Sequence, residues 1–195
     1  MANIAVSEYR VLGLREPVEN LWSALQTLGV NGKDVYLCDL AKMYGIDYEK
    51  KHLCVRGYIS WAEFDDCGGD ELCQLSFDTS TAWSACTEFI EELNNVLGGE
   101  LSISYREVEP GCDVFFVHDE GDYFPEECCV SSAGEPFDDA FEDNYMTIAD
   151  AIDFWCEKMN IGRDGRTDED MMDFINDFEY EDADTYFYIH PYVFG

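Results

Sequence analysis

Carboxylates dominate the chemistry open to this chain. Asp150, Asp153 and Glu157 recur at helical spacing, and so do Asp168, Glu169, Asp170, Asp173 and Asp177. Glu179, Glu181, Asp182 and Asp184 carry the series toward a final aromatic segment, while Asp138, Asp139, Glu142 and Asp143 precede it in a polar bend. Side chains three and four apart on a helix share a face, so each row could hold negative charge on a rigid support, at the cost of repulsion within the row. With acids this abundant, no single pair stands out as a general acid and base.

Other constellations are weaker. Cys128-Cys129, with His118, has the outline of a thiol nucleophile, but Glu126 and Glu127 beside it oppose formation of a thiolate. Asn160-x-Gly162-x-Asp164-Gly165 has the outline of a calcium loop. It lacks the closing glutamate, since Met171 stands there, and Gly162 replaces a ligand, so a helix-joining turn is expected. The nine cysteines are scattered with no C-x-x-C pair, and His52, His118 and His190 lie far apart, which argues against zinc. There is no G-x-S-x-G, phosphate-binding or dinucleotide-binding fingerprint. The expectation is a chain without catalytic residues, metal or cofactor.

Charge points to a class of partner. Forty-three Asp and Glu against eleven Lys and Arg leave a net charge of −32. Residues through Val108 carry 18 acidic and 8 basic side chains, a net of −10; from Glu109 onward, 25 acids face only Lys158, Arg163 and Arg166, a net of −22. Charge beyond what solubility requires opposes compaction through self-repulsion. A solvated acidic face is the simple account of any one cluster, and salt adaptation would also give an acidic surface, although nine cysteines and the lopsided distribution fit it poorly. Disorder is excluded by thirteen Phe, twelve Tyr and four Trp that continue to Phe194. Such a chain repels DNA, RNA and anionic lipid, so neither direct nucleic-acid binding nor a membrane partner is expected. It attracts basic surfaces. Duplex DNA carries about one charge per 1.7 Å, so a net of −22 corresponds to roughly 37 Å of duplex.

The elements that must position these residues follow from periodicity. Residues 4–12 read as a strand, and Val18, Leu21, Trp22, Leu25 and Leu28 as a helix with Pro17 in its first turn and Gly29 at its end. A helix is expected over 34–44, then strands around Leu53–Trp61 and Cys73–Phe77. Trp83, Cys86, Phe89, Ile90, Leu93, Val96 and Leu97 form the stripe of a helix over 82–97. Strands follow at 101–105 and 114–117, with another near 123–130. Thr147 and Thr167 cap two further helices, and Pro191 marks the last strand, 186–189, as an edge. No signal peptide or apolar span is visible, so a cytoplasmic location in a host cell is expected.

The segment Phe77-Asp78-Thr79-Ser80-Thr81-Ala82-Trp83, of the form F-x-T-x-x-x-W, precedes a helix, and Tyr105-Arg106-Glu107-Val108-Glu109-Pro110-Gly111, of the form Y-x-E-x-E-P-G, follows it. With these segments the chain resembles the YubB/Api92-like ferredoxin-fold proteins of plasmids and phages over about residues 50–125, more loosely from the N-terminus. The resemblance implies a ferredoxin-like fold and a mobile genetic element as source. It carries over no catalytic residue and does not reach the last seventy residues.

The expected fold class is α+β: a ferredoxin-like split βαβ core over residues 1–125, burying Leu53, Phe77, Trp83, Phe89, Ile103 and Tyr105, with an acidic, mostly helical C-terminal extension over 126–195. The expected function is a non-enzymatic inhibitor, an acidic nucleic-acid mimic that occupies the basic DNA- or RNA-binding groove of a host defence nuclease, a CRISPR effector or a restriction enzyme. The alternatives are an acidic chaperone or assembly factor shielding a basic DNA-binding partner, and a metal or small-molecule enzyme. Nothing in the sequence determines the oligomeric state.

Overall fold

The computed structural model describes residues 3–69, 71–137 and 144–195. They form an α+β architecture in two compact units, Met1–Phe124 with Phe194–Gly195, and Pro125–Val193.

The first unit runs β1 (Ile4–Leu14), α1 (Arg15–Leu28), β2 (Val35–Tyr36), α2 (Leu37–Met43), β3 (Gly57–Asp65), β4 (Leu72–Ala82), α3 (Thr87–Val96), β5 (Ser102–Glu109) and β6 (Val114–His118). The order across its sheet is β10-β6-β5-β1-β4-β3-β2, with β10 (Val193–Phe194) returning from the end of the chain. β1 pairs antiparallel with β4 and β5, and β3 antiparallel with β4.

Alternation explains why one face is covered. Ala5, Ser7, Tyr9 and Val11 of β1 are buried while the residues between them are open or half-open, the period of two that a half-buried strand requires. Val18, Leu21 and Leu25 of α1 and Phe89, Ile90 and Leu93 of α3 join Tyr9, Val11, Leu75 and Phe77 in one core. Phe89 is fully buried, and truncating such a side chain to Ala costs about 3–5 kcal/mol. Gly29 ends α1 with φ +96°, a conformation that favours glycine. At Gly57 a Cβ would lie 2.5 Å from the Ser80 carbonyl oxygen, so the β3–β4 pairing requires glycine there.

Several expectations change. The helix expected over 82–97 begins only at Thr87, because β4 continues through Ala82 and Trp83 turns with φ +75°. Trp83, expected in the core, is therefore 48 % exposed, and Val96, expected in the buried stripe, is 47 % exposed. Phe77 and Phe89 are buried, and Leu53, Ile103 and Tyr105 are partly buried against the same core. The helix expected over 34–44 is only α2, since Val35 and Tyr36 pair with Ile59 and Tyr58 of β3. The strand expected over Leu53–Trp61 starts at Gly57 and carries a bulge between Ile59 and Trp61, the extra residue that re-aims a strand.

The second unit is not mostly helical. β7 (Cys128–Ala133) pairs antiparallel with β8 (Asn144–Met146) on one side and β9 (Tyr186–Pro191) on the other, and α4 (Ile148–Met159) and α5 (Asp168–Asn176) complete the unit. Phe187 and Ile189 are buried while Tyr186 and Tyr188 are exposed, so β9 turns one face to a core shared with Ile152, Trp155, Met171 and Ile175. β9 lies at the sheet's edge. Its outer side is blocked at Ile189, whose N–H donates to Asn176 Oδ1 at 2.8 Å and whose carbonyl accepts from Asn176 Nδ2 at 3.0 Å, and Pro191 offers no N–H. Such blocking protects an edge from pairing with other chains. The ends of the unit are tied together, the Tyr192 N–H donating to the Glu127 carbonyl at 2.9 Å.

Candidate partner-binding surface

The second unit holds twenty acidic and three basic residues, a net of −17 within Pro125–Val193. Local signals build its two helices. The Thr147 hydroxyl accepts the Asp150 N–H at 3.1 Å and so caps α4. Thr167 forms a capping box with Asp170 at the start of α5, its hydroxyl accepting the Asp170 N–H at 3.2 Å. Each cap stabilises its helix by about 1 kcal/mol, and acids in the first turn, Asp168, Glu169 and Asp170, suit the positive end of the helix dipole.

Twelve carboxylates of the predicted series lie among the described residues, and all are exposed: Asp150, Asp153, Glu157, Asp168, Glu169, Asp170, Asp173, Asp177, Glu179, Glu181, Asp182 and Asp184. Asp138, Asp139, Glu142 and Asp143 lie outside the described residues. The twelve are not equivalent. Asp150 and Asp170 are committed to caps. Arg163 bonds Asp153 at 2.7 Å and also pairs with Asp168, joining α4 to the start of α5. Asp182 accepts the Asp184 N–H at 3.0 Å and shapes the turn before β9. Glu157, Asp173 and Asp177 enter no ion pair among the described residues.

The basic residues of the unit are held down on its own surface. Arg163 is occupied as above, Arg166 lies over the Phe174 ring at 4.4 Å, and Lys158 over Phe154 at 5.5 Å. Acids that project while cations are folded back leave an outward field of one sign.

Other candidates resolve into structure. Asn160 ends α4 in the left-handed conformation, and Asp164 and Gly165 also have positive φ, so the stretch with a calcium-loop outline is a helix-joining turn. Cys128 and Cys129 are buried. Burial, then the neighbouring Cys129 and Glu127 charges, push the Cys128 thiol up to about 12, which opposes use as a nucleophile. No cluster of three metal-ligating side chains occurs among the described residues, and none of their helices is long and apolar enough to cross a membrane.

Sequence reasoning missed a recess in the first unit. It has a volume of about 190 Å³ and lies between one flank of α3, with Thr87, Ile90 and Glu91, and the β5 residues Ile103 and Tyr105. Tyr9, Asn94, His118 and Glu120 complete the polar and aromatic part of its wall. Tyr105 stacks on Tyr9 at 5.4 Å and lies 5.8 Å from the His118 ring. Burial, followed by the charges of Glu107 and Glu91, raises the Tyr105 hydroxyl above the usual tyrosine range, so the phenol stays neutral. Spacing of three and four along α3 and of two along β5 was legible beforehand, but not their meeting.

Comparison of the chain with protein-family models, with curated proteins and with solved structures finds no match.

Proposed function

We propose that this protein is a non-enzymatic inhibitor that presents an acidic, nucleic-acid-like surface to the basic DNA- or RNA-binding groove of a host defence nuclease, a CRISPR effector or a restriction enzyme, in the cytoplasm of the host. One observation carries the reading: every described carboxylate of the predicted series is exposed, while the three cations of the same unit lie on its own acids and rings. The support beneath is a packed core, with Trp155, Met171 and Ile175 fully buried, and α4 and α5 display their carboxylates from it. The order β5-β1-β4-β3 in a βαββαβ sequence supports a ferredoxin-like plan for the first unit. That plan is in keeping with the resemblance to YubB/Api92-like proteins and with a mobile-element source.

The test is competition. A labelled duplex is bound to each of a panel of CRISPR effectors and restriction enzymes, and the purified protein is added while anisotropy is followed. Displacement from at least one nuclease, weakening as salt rises, is expected, because ion pairs with the groove replace phosphates. Tight binding of the protein itself to plain DNA at physiological salt would overturn the reading. Loss of all activity from one conservative carboxylate change would point to catalysis.

A further inference from the structure

The helices of the first unit pack on one face of its sheet. The opposite face carries side chains suited to an interface, and register sets them in rows. Tyr36 of β2 lies beside Tyr58 of β3, Tyr58 beside Ser80 of β4, Ser80 beside Val6 of β1, and Val6 beside Val108 of β5. Ile4 and Ala82 continue the patch on one side, and Trp61, opposite Asp78, on the other. The bulge between Ile59 and Trp61 turns Trp61 to this face, since Ile59 points into the core. Ile4, Val6, Tyr36 and Trp61 are all exposed, and among the described residues no ring or guanidinium packs on the Trp61 indole. Single exposed apolar residues are ordinary, whereas a contiguous group marks a contact surface.

Charge selects what covers it. Asp78 stands within the patch, half-buried, with Trp61 beside it on one strand and Glu8 on the other. Burial, then the Glu8 charge, raises its carboxyl above the usual aspartate range, and Arg10 partly offsets this. No ion pair neutralises Asp78 among the described residues. Arg10 and Arg106 both bond Glu8, at 3.5 and 2.6 Å, and both lie over the Phe124 ring. Glu63 and Asp65 extend the same face along β3, beside Ser76 and Gln74.

We infer that this face docks a basic amphipathic helix of a protein partner, its apolar side on Val6, Tyr58 and Trp61 and a Lys or Arg on Asp78. A helix layer is a common cover for a half-apolar sheet face. Four strand spacings from β2 to β5 measure about 19 Å, which a helix of about 13 residues crosses. A nucleic acid or an anionic lipid surface meets Asp78, Glu63 and Asp65 there and is repelled. A second copy of the chain sets the same three carboxylates against their own kind, with both arginines already engaged. The face belongs wholly to the first unit, so the inference stands whether or not the acidic surface of the second unit acts as proposed.

The experiment is an amide-resolved NMR titration of the full chain with two peptides of equal charge. One is acetyl-Leu-Lys-Lys-Leu-Leu-Lys-Leu-Leu-Lys-Lys-Leu-Leu-Lys-Leu-amide, and the other has Ser in place of every Leu. Saturable shifts around Val6, Tyr58, Trp61 and Asp78, given by the first peptide and not by the second, are expected. Trp61→Ala is expected to weaken that binding about tenfold. Asp78→Asn is expected to weaken it about threefold and keeps the test valid if Trp61→Ala does not fold. Shifts confined to α4 and α5 and alike for both peptides would overturn the inference, as would unchanged affinity in Asp78→Asn. Shifts at Val6 and Trp61 that grow with protein concentration alone would also overturn it, and would assign the face to a second copy.

Discussion

Trp155 donates its indole N–H to the Tyr180 hydroxyl at 2.8 Å. The bond ties the centre of α4 to the acidic segment after α5, in a core where Phe174 and Phe178 meet the same indole edge-on at 5.8 and 5.2 Å. Tyr180→Phe keeps the ring and strands a donor on a fully buried Trp155. A loss of about 1–3 kcal/mol is expected from urea denaturation. An unchanged midpoint would show that the hydroxyl is dispensable.

Arg163 links the two helices that carry the acidic rows, through Asp153 and Asp168. All three groups are well solvated, so Arg163→Gln should cost about 1 kcal/mol or less and only at low ionic strength. It frees two carboxylates and takes the unit from −17 to −18. Stability is therefore expected to fall slightly while affinity for a basic target rises, measured by thermal melts and competition at two salt concentrations.

Charge reversal discriminates display from structure. Glu157, Asp173 and Asp177 are exposed and lie in the later part of each helix or at its end. Lysine there complements the negative end of the helix dipole. The triple change to Lys moves the net charge from −32 to −26. The expected result is an intact or more stable fold and a loss of target affinity on the order of tenfold or more. Asp150 and Asp170 should behave oppositely: replacing either by Ala removes a capping interaction and lowers helix stability first.

Glu107 gives a pH dependence of definite sign. It is buried beside Ser7, and its Oε1 accepts the Ala85 N–H at 2.6 Å. Burial raises its carboxyl above the ordinary glutamate range, the Ala85 N–H partly offsets this, and the Glu109 charge adds to it. A group with a raised folded-state value contributes stability that is complete below its unfolded value and is lost as pH rises through the folded one. Glu107→Gln keeps an acceptor for Ala85 and removes that loss. The variant is expected to gain on the native protein as pH climbs from about 4.5 toward neutrality, read from urea midpoints across that range. A difference that does not change with pH would reject the account.

Cutting the chain tests how the first unit is completed. Truncation after Glu126 removes β10 as well as the second unit, because Phe194 and Gly195 belong to the first. Joining Glu127 to Tyr192 through about three glycines removes the same unit and keeps β10, since those two residues are already hydrogen-bonded at 2.9 Å. By circular dichroism and thermal melting, the joined form should fold and melt at a higher temperature than the truncated one. If the joined form still displaces DNA at full strength, the functional surface belongs to the first unit.

What the sequence determined was local or global in character. Thr147 and Thr167 cap helices because a hydroxyl reaches an N–H within its own turn, and Val18, Leu21 and Leu25 face the core because of helical spacing alone. The net charge and its crowding into the later residues need no coordinates. What tertiary structure decided was every outcome that depends on distant partners. Trp83 and Val96 sit in an apolar stripe by spacing, yet β4 runs on to Ala82 and leaves Trp83 exposed ahead of α3, and Val96, the last residue of α3, is exposed as well. The small sheet of the second unit forms because Cys128–Ala133 finds Tyr186–Pro191, a pairing that alternation within one segment cannot announce. That Asp153 and Asp168 are spoken for depends on where a single Arg163 lands. The recess exists because sheet pairing sets Tyr9 beside Tyr105 and Tyr105 beside His118. Register, unlike periodicity, belongs to two strands at once.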